Sequence, residues 1–237
     1  MGSPTPLNSM KYHFFWLIIP LLFLYSCSPG PGIPIEKIKS ELKDAPDYSI
    51  ILEDMKEEGN FITQYFHKYR VVRGEESLST GWEEVSEKYY KTNEAFLGMT
   101  LTARKDGENI SSVAPPGYQY IGDSRYGQWT SDHRGGSFWE FYGKYALFSS
   151  LLGGLHRPVY RNDFGMYQTY RNRNRPFFGA GNQYGTNGSV TKQTKPNFYT
   201  RHKQRKRLRN KSFSDRVSSR TGRTRTGFRS RSGGFGK

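Results

Sequence analysis

Leu101-Thr-Ala-Arg-Lys-Asp-Gly-Glu-Asn-Ile110 is the stretch that decides the fold class. Asp106-Gly107 stands between two strand-like runs, Phe96 to Arg104 and Asn109 to Val113. Asp and Gly both tolerate positive φ, and the two-residue turns that match strand twist need it. The stretch therefore reads as a β-hairpin. Upstream, Tyr48-Ser-Ile-Ile-Leu52 and Phe61 to Val72 are rich in β-branched and aromatic residues. Lys56-Glu-Glu-Gly-Asn60 lies between them as a turn, which predicts another hairpin. Trp82 to Thr92 is read as a further strand. Ala114-Pro-Pro-Gly-Tyr118 ends any regular element. Residues 119–136 then read as an ordered loop with Trp129 tucked against the sheet.

Two helices complete this part. Pro34 to Lys43 places Ile35, Ile38 and Leu42 three and four residues apart, with Pro near the start. Ser137-Phe-Trp-Glu140 has the spacing of a capping box. The aromatic run to Leu152 then predicts a helix from Ser137, stopped at Gly153-Gly154. Such a helix is apolar on nearly every face, so it is expected to be buried or to lie on a membrane. A span needs about 20 residues, more than this run supplies. The expected fold class is α+β: a small antiparallel β-hairpin domain with a few helices over 33–156. Its 3 Trp, 6 Phe and 10 Tyr predict a partly exposed aromatic surface rather than a deep aliphatic core.

Charge divides the chain. Residues 1–156 carry 15 Lys/Arg and 19 Asp/Glu; residues 157–237 carry 21 Lys/Arg and 2 Asp/Glu. The second part is thus a strongly cationic segment that calls for an acidic partner. Its Gly, Ser, Thr and Arg content predicts a disordered basic tail over 157–237, with a helical turn or two at Ser212 to Arg220. The candidate anion-binding residues are Arg201, Lys203, Arg205, Lys206, Arg207, Arg209, Arg220, Arg223, Arg225, Arg229 and Arg231. Arginine forks pair with phosphate or carboxylate. Anionic polymers, lipid head groups or an acidic protein are the expected partners. The arginine, glycine and phenylalanine pattern also resembles the arginine-glycine segments of RNA-binding proteins, a nucleic-acid alternative that the leader below argues against.

Cys27 is the only cysteine in the 237 residues. It follows a 12-residue apolar run, Phe14 to Tyr25, itself preceded by Met10-Lys11. That length fits the core of a secretory signal, about 7–15 residues; the first nine residues fit no part of one, which makes Met10 a candidate start. Leu24-Tyr25-Ser26-Cys27 resembles the lipobox of bacterial lipoproteins, with Tyr25 a departure from the usual small residue. The resemblance covers residues 10–28. It implies a diacylglyceryl group on the Cys27 sulfur, palmitate-type acylation of the new amino terminus, and cleavage before Cys27. Residues 1–26 would be leader and 27–32 a lipidated tether. Ser28 implies the periplasmic face of the outer membrane. The Gly233-Gly-Phe-Gly236 ending resembles that of bacterial lipoproteins of uncharacterised activity with Ser/Arg/Gly-rich tails.

No arrangement here predicts catalysis, and no cofactor or metal is expected. His67, His133, His156 and His202 are widely spaced, and His67 lies among strand aromatics as a structural residue. The pairs Glu53-Asp54, Glu57-Glu58, Glu75-Glu76 and Glu83-Glu84 read as solvated faces and turns, since neighbours in sequence do not ordinarily face each other across a cleft. Gly179-Ala-Gly181-Asn-Gln-Tyr-Gly185 has the wrong spacing for a phosphate loop. The expectation is a non-enzymatic envelope lipoprotein, with a peptidoglycan hydrolase or a nucleic-acid binder as the alternatives.

Overall fold

The computed structural model describes residues 31–59, 62–133, 135–152 and 158–222. The apolar leader, Cys27, Arg223, Arg225, Arg229 and Arg231 lie outside them.

Both expected hairpins form. β1 (Tyr48–Glu58) pairs antiparallel with β2 (Gln64–Arg73). Gly74, at φ 58°, turns β2 into β3 (Glu76–Val85). β4 (Thr100–Lys105) pairs with β5 (Glu108–Ile110) across Asp106 and Gly107, whose φ values are 53° and 79°. Arg125 clamps this turn from outside, with both terminal nitrogens 2.6 Å from the Asp106 carboxylate. The strand order is β3-β2-β1-β4-β5. β1 is central, and its first five residues are all buried. This unbroken burial reflects a sheet covered on both faces.

On one face lie α1 (Pro34–Glu41) and α2 (Glu87–Asn93). Ile35 and Ile38 of α1 meet Tyr48, Ile50, Leu52, Tyr69 and Tyr90 there. The expected strand at Trp82–Thr92 holds only to Val85. The Ser86 hydroxyl then accepts the Tyr89 backbone N–H at 3.2 Å and opens α2. A Ser in extended backbone with a free hydroxyl is a strong N-cap, and it outweighs the β-preference of the tyrosines.

Ile51, Val72 and Met99 project to the opposite face, against a second layer. That layer is a three-stranded sheet, β6 (Gly127–Ser131), β7 (Ser137–Phe141) and β8 (Val159–Tyr160). Here two expectations are corrected. Part of the 119–136 loop is strand β6, with the Trp129 ring 5.2 Å from that of Trp139. The helix expected from Ser137 is β7 instead; only α3 (Leu147–Leu151) is α-helical, after a 3-10 turn at Gly143–Ala146. Glu140 does not cap a helix. It points outward across the ladder and accepts from Thr130 at 3.0 Å, while Trp139 and Phe141 on either side of it are buried. An aromatic run satisfies strand and helix preferences alike, and the pairing with β6 decides between them.

The disordered tail from residue 157 is corrected as well, for residues 158–222. Val159 pairs with Trp139 of β7. α4 (Arg161–Asn172) lays Tyr167 against Tyr118 and Phe177, at ring distances of 5.4 and 6.0 Å. Asn174, at φ 50°, lets the chain turn back, so that Phe177 and Tyr184 also enter the core. The glycine-rich loop then docks on the turn after α2. The Thr186 N–H donates to the Ala95 carbonyl at 3.0 Å, and its hydroxyl accepts the Leu97 N–H at 3.2 Å. Gly185 sits against this turn, where a Cβ would lie 2.6 Å from the Ala95 oxygen. Its role is close backbone approach, not phosphate binding. Average composition hid the apolar residues of this segment, Tyr167, Phe177 and Tyr184 among them.

The tyrosines, expected on a partly exposed surface, form the core instead. Tyr48, Tyr69, Tyr90, Tyr118, Tyr120 and Tyr167 are among its most buried side chains. A buried phenol needs a partner. The Tyr120 hydroxyl lies 3.4 Å from the Ser49 hydroxyl, and that of Tyr69 3.0 Å from His67 Nδ1.

Candidate anion-binding surface

α5 (Ser189–Thr194) leads into α6 (Pro196–Gly222), which carries most of the candidate cations within the described residues. Pro196 opens α6, where a missing N–H costs nothing. One stripe of α6 faces the body of the protein, at three- and four-residue spacing. Phe198 packs on the α1/α2 core and stacks on the His202 ring at 5.8 Å. His202 is buried, and burial lowers its pKa despite the nearby Glu94. Arg205 lies 3.6 Å from Glu57, and Arg209 lies 2.9 Å from Glu94. Just before the helix, Lys195 meets Asp54 at 2.8 Å. Pairs this exposed contribute about 0–1 kcal/mol each; together with Phe198 they set the rotation of the helix.

That rotation sorts the candidate residues. Arg205 and Arg209 are paired with the protein's own acids. Lys203 and Arg207 point away from the body and, with Lys211, form a stripe four residues apart. All three are exposed and have no acidic partner among the described residues. Arg201 and Lys206 are exposed on the two flanks. Arg220 lies in the last turns of α6, and its side chain is outside the described residues.

A shallow groove of about 360 Å³ runs along this outer face. Lys192 of α5 joins Lys203 and Arg207 around it, with Tyr199, Thr200 and Gln204 between the charges. The Lys203 ammonium sits 5.8 Å from the Tyr199 ring centre. Three cations, two hydroxyls and an amide around an open groove can bind an extended anion. Lys192 and Tyr199 escaped the sequence reading, and Lys211 was read only as the end of the basic cluster from Arg201. The four-residue spacing of 203, 207 and 211 puts Lys211 on the outer stripe; the place of Lys192 depends on the bend between α5 and α6.

Among the described residues no group of three or more His, Cys, Asp or Glu could hold a metal. No described helix is long and apolar enough to cross a membrane. Comparison with protein-family models, curated proteins and solved structures finds no match.

Proposed function

We propose that this chain is a lipid-anchored envelope protein that binds anionic head groups or polymers through the outer face of α6. The observation that carries the reading is the division of labour on that helix. Its inner arginines, Arg205 and Arg209, pair with Glu57 and Glu94, while Lys192, Lys203, Arg207 and Lys211 have no acidic partner among the described residues. The lipobox-like Leu24–Cys27 supplies the reason for a membrane surface, since lipidation would hold the groove close to phosphate-bearing lipids. Each basic residue near such a surface contributes about 1 kcal/mol.

The triple variant K203Q/R207Q/K211Q tests the reading on lipopolysaccharide or phosphatidylglycerol vesicles. Losing about 3 kcal/mol corresponds to roughly a hundredfold weaker binding. The wild-type affinity should also fall steeply with salt. The double variant R205Q/R209Q should bind nearly as the wild type, because those charges are already engaged. Equal affinity of the triple variant and the wild type would refute the surface. For the anchor, palmitate fed to cells should label the wild type and leave Cys27→Ala unlabelled; label retained by the variant refutes the anchor.

A further inference from the structure

β3 forms one edge of the five-stranded sheet, and no described strand pairs with its outer side. It is 10 residues long, contains no Lys, Arg or Pro, and leaves Leu78 and Trp82 exposed. A Cβ added at Gly81 would meet nothing within 4 Å. Long open edges pair readily with another strand unless Lys or Pro blunts them. Charge limits what can pair here. Glu76 meets Arg73 at 2.7 Å, whereas Glu83 and Glu84 have no basic partner among the described residues. A second β3 laid antiparallel in register would bring Glu76 opposite Glu83 or Glu84, and like charges directly opposite are destabilising. A strand that carries arginines meets no such penalty.

We infer that residues 223–232 of a second copy of this chain dock on β3 as an antiparallel strand. Arg223, Arg225, Arg229 and Arg231 all fall at odd positions, with Thr, Phe and Ser at the even ones. In extended backbone this spacing puts the four arginines on one face. β3 supplies acids at a matching interval. Glu76 and Glu83 lie opposite Arg73 and His67 of β2, so both project to one face, and β3 carries its extra residue between Ser79 and Trp82. With Arg231 at Glu76, Arg229 lies beside Leu78, Gly227 faces the bulge, and Arg225 reaches Glu83. A glycine suits that place, where backbone approaches backbone closely. The course of α6 makes the donor another molecule. Lys195 meets Asp54 and Arg205 meets Glu57, so α6 runs the way β1 runs. Its described side chains from Lys203 to Ser218 are all exposed, and it continues about 20 Å beyond Arg209 to Gly222. Three extended residues span about 10 Å, too few to bring Arg225 back to Glu83 of its own chain.

Disulfide trapping in the full chain, with Cys27→Ala removing the native thiol, tests this. Leu78 is 64 % exposed, so Leu78→Cys leaves the core intact. Chains carrying Leu78→Cys are mixed with chains carrying Arg229→Cys under mild oxidation. The mixed dimer should form at least tenfold faster than from Leu78→Cys with Ser230→Cys, whose side chain leaves by the other face. Glu83→Arg added to the first chain should slow trapping at least tenfold, and Arg225→Glu in the second should restore it. Equal rates in the two mixtures overturn the inference. So does a bond that forms only within a single chain carrying both Leu78→Cys and Arg229→Cys. The α6 triple variant should trap as the wild type does, which separates this edge from the anionic surface.

Discussion

Ending the chain after residue 156 should abolish cooperative unfolding. The cut removes the third strand of the second sheet and the helix that covers it. It also removes Tyr167, Phe177 and Tyr184, all buried in the core. Truncating one large buried side chain costs about 3–5 kcal/mol, and a domain's whole stability is about 5–15 kcal/mol. Three such losses, with Leu97 deprived of Thr186 as a partner, exceed what a chain of this size can spare. The shortened protein should lose its near-ultraviolet circular dichroism and its calorimetric transition. Ending after Lys211 should leave both nearly unchanged, since Arg209–Glu94 is the last ion pair from α6 to the body among the described residues. A sharp melt of the 1–156 chain at the wild-type midpoint would show that the cationic segment is an appendage after all.

The second large effect is a loss of stability in weak acid, through His67. This ring is fully buried, with Tyr69, Tyr89 and Tyr90 around it at 5.2–5.8 Å. Its Nε2 is buried without a hydrogen-bond partner. Burial holds its pKa down at about 4, against about 6.5 in an unfolded chain. Below pH 6.5 the unfolded chain therefore takes up a proton that the fold refuses. Stability falls as pH drops from about 6.5 and levels off below about 4. The full loss is about 3 kcal/mol, at 1.36 kcal/mol per pH unit. His202, also lowered by burial, acts in the same direction, so the variant His67→Gln is the needed comparison. Urea unfolding at pH 7.5 and 4.5 should show a clearly smaller drop for His67→Gln. Equal drops in the two proteins would mean that the buried imidazole is not what titrates.

Much of the fold was legible from short stretches. Asp106-Gly107 specified its turn because two adjacent residues tolerate positive φ and their flanks favour extended backbone. Ile35 and Ile38 specified the face of α1 through spacing alone. The basic cluster at 201–211 was legible as charge, and α6 does present it. Which cations face outward was not legible, since that depends on Asp54, Glu57 and Glu94, more than a hundred residues earlier in the chain.

By itself, then, the sequence determined the α+β class, the two hairpins and the concentration of positive charge after residue 156. Those properties are local: each follows from neighbours within one turn or from composition. Only the tertiary structure decided that Ser137–Phe141 is a strand and that Tyr167, Phe177 and Tyr184 belong to the core. Each of these rests on a partner outside the segment itself. An aromatic run has several acceptable conformations until such a partner makes one of them lowest in free energy.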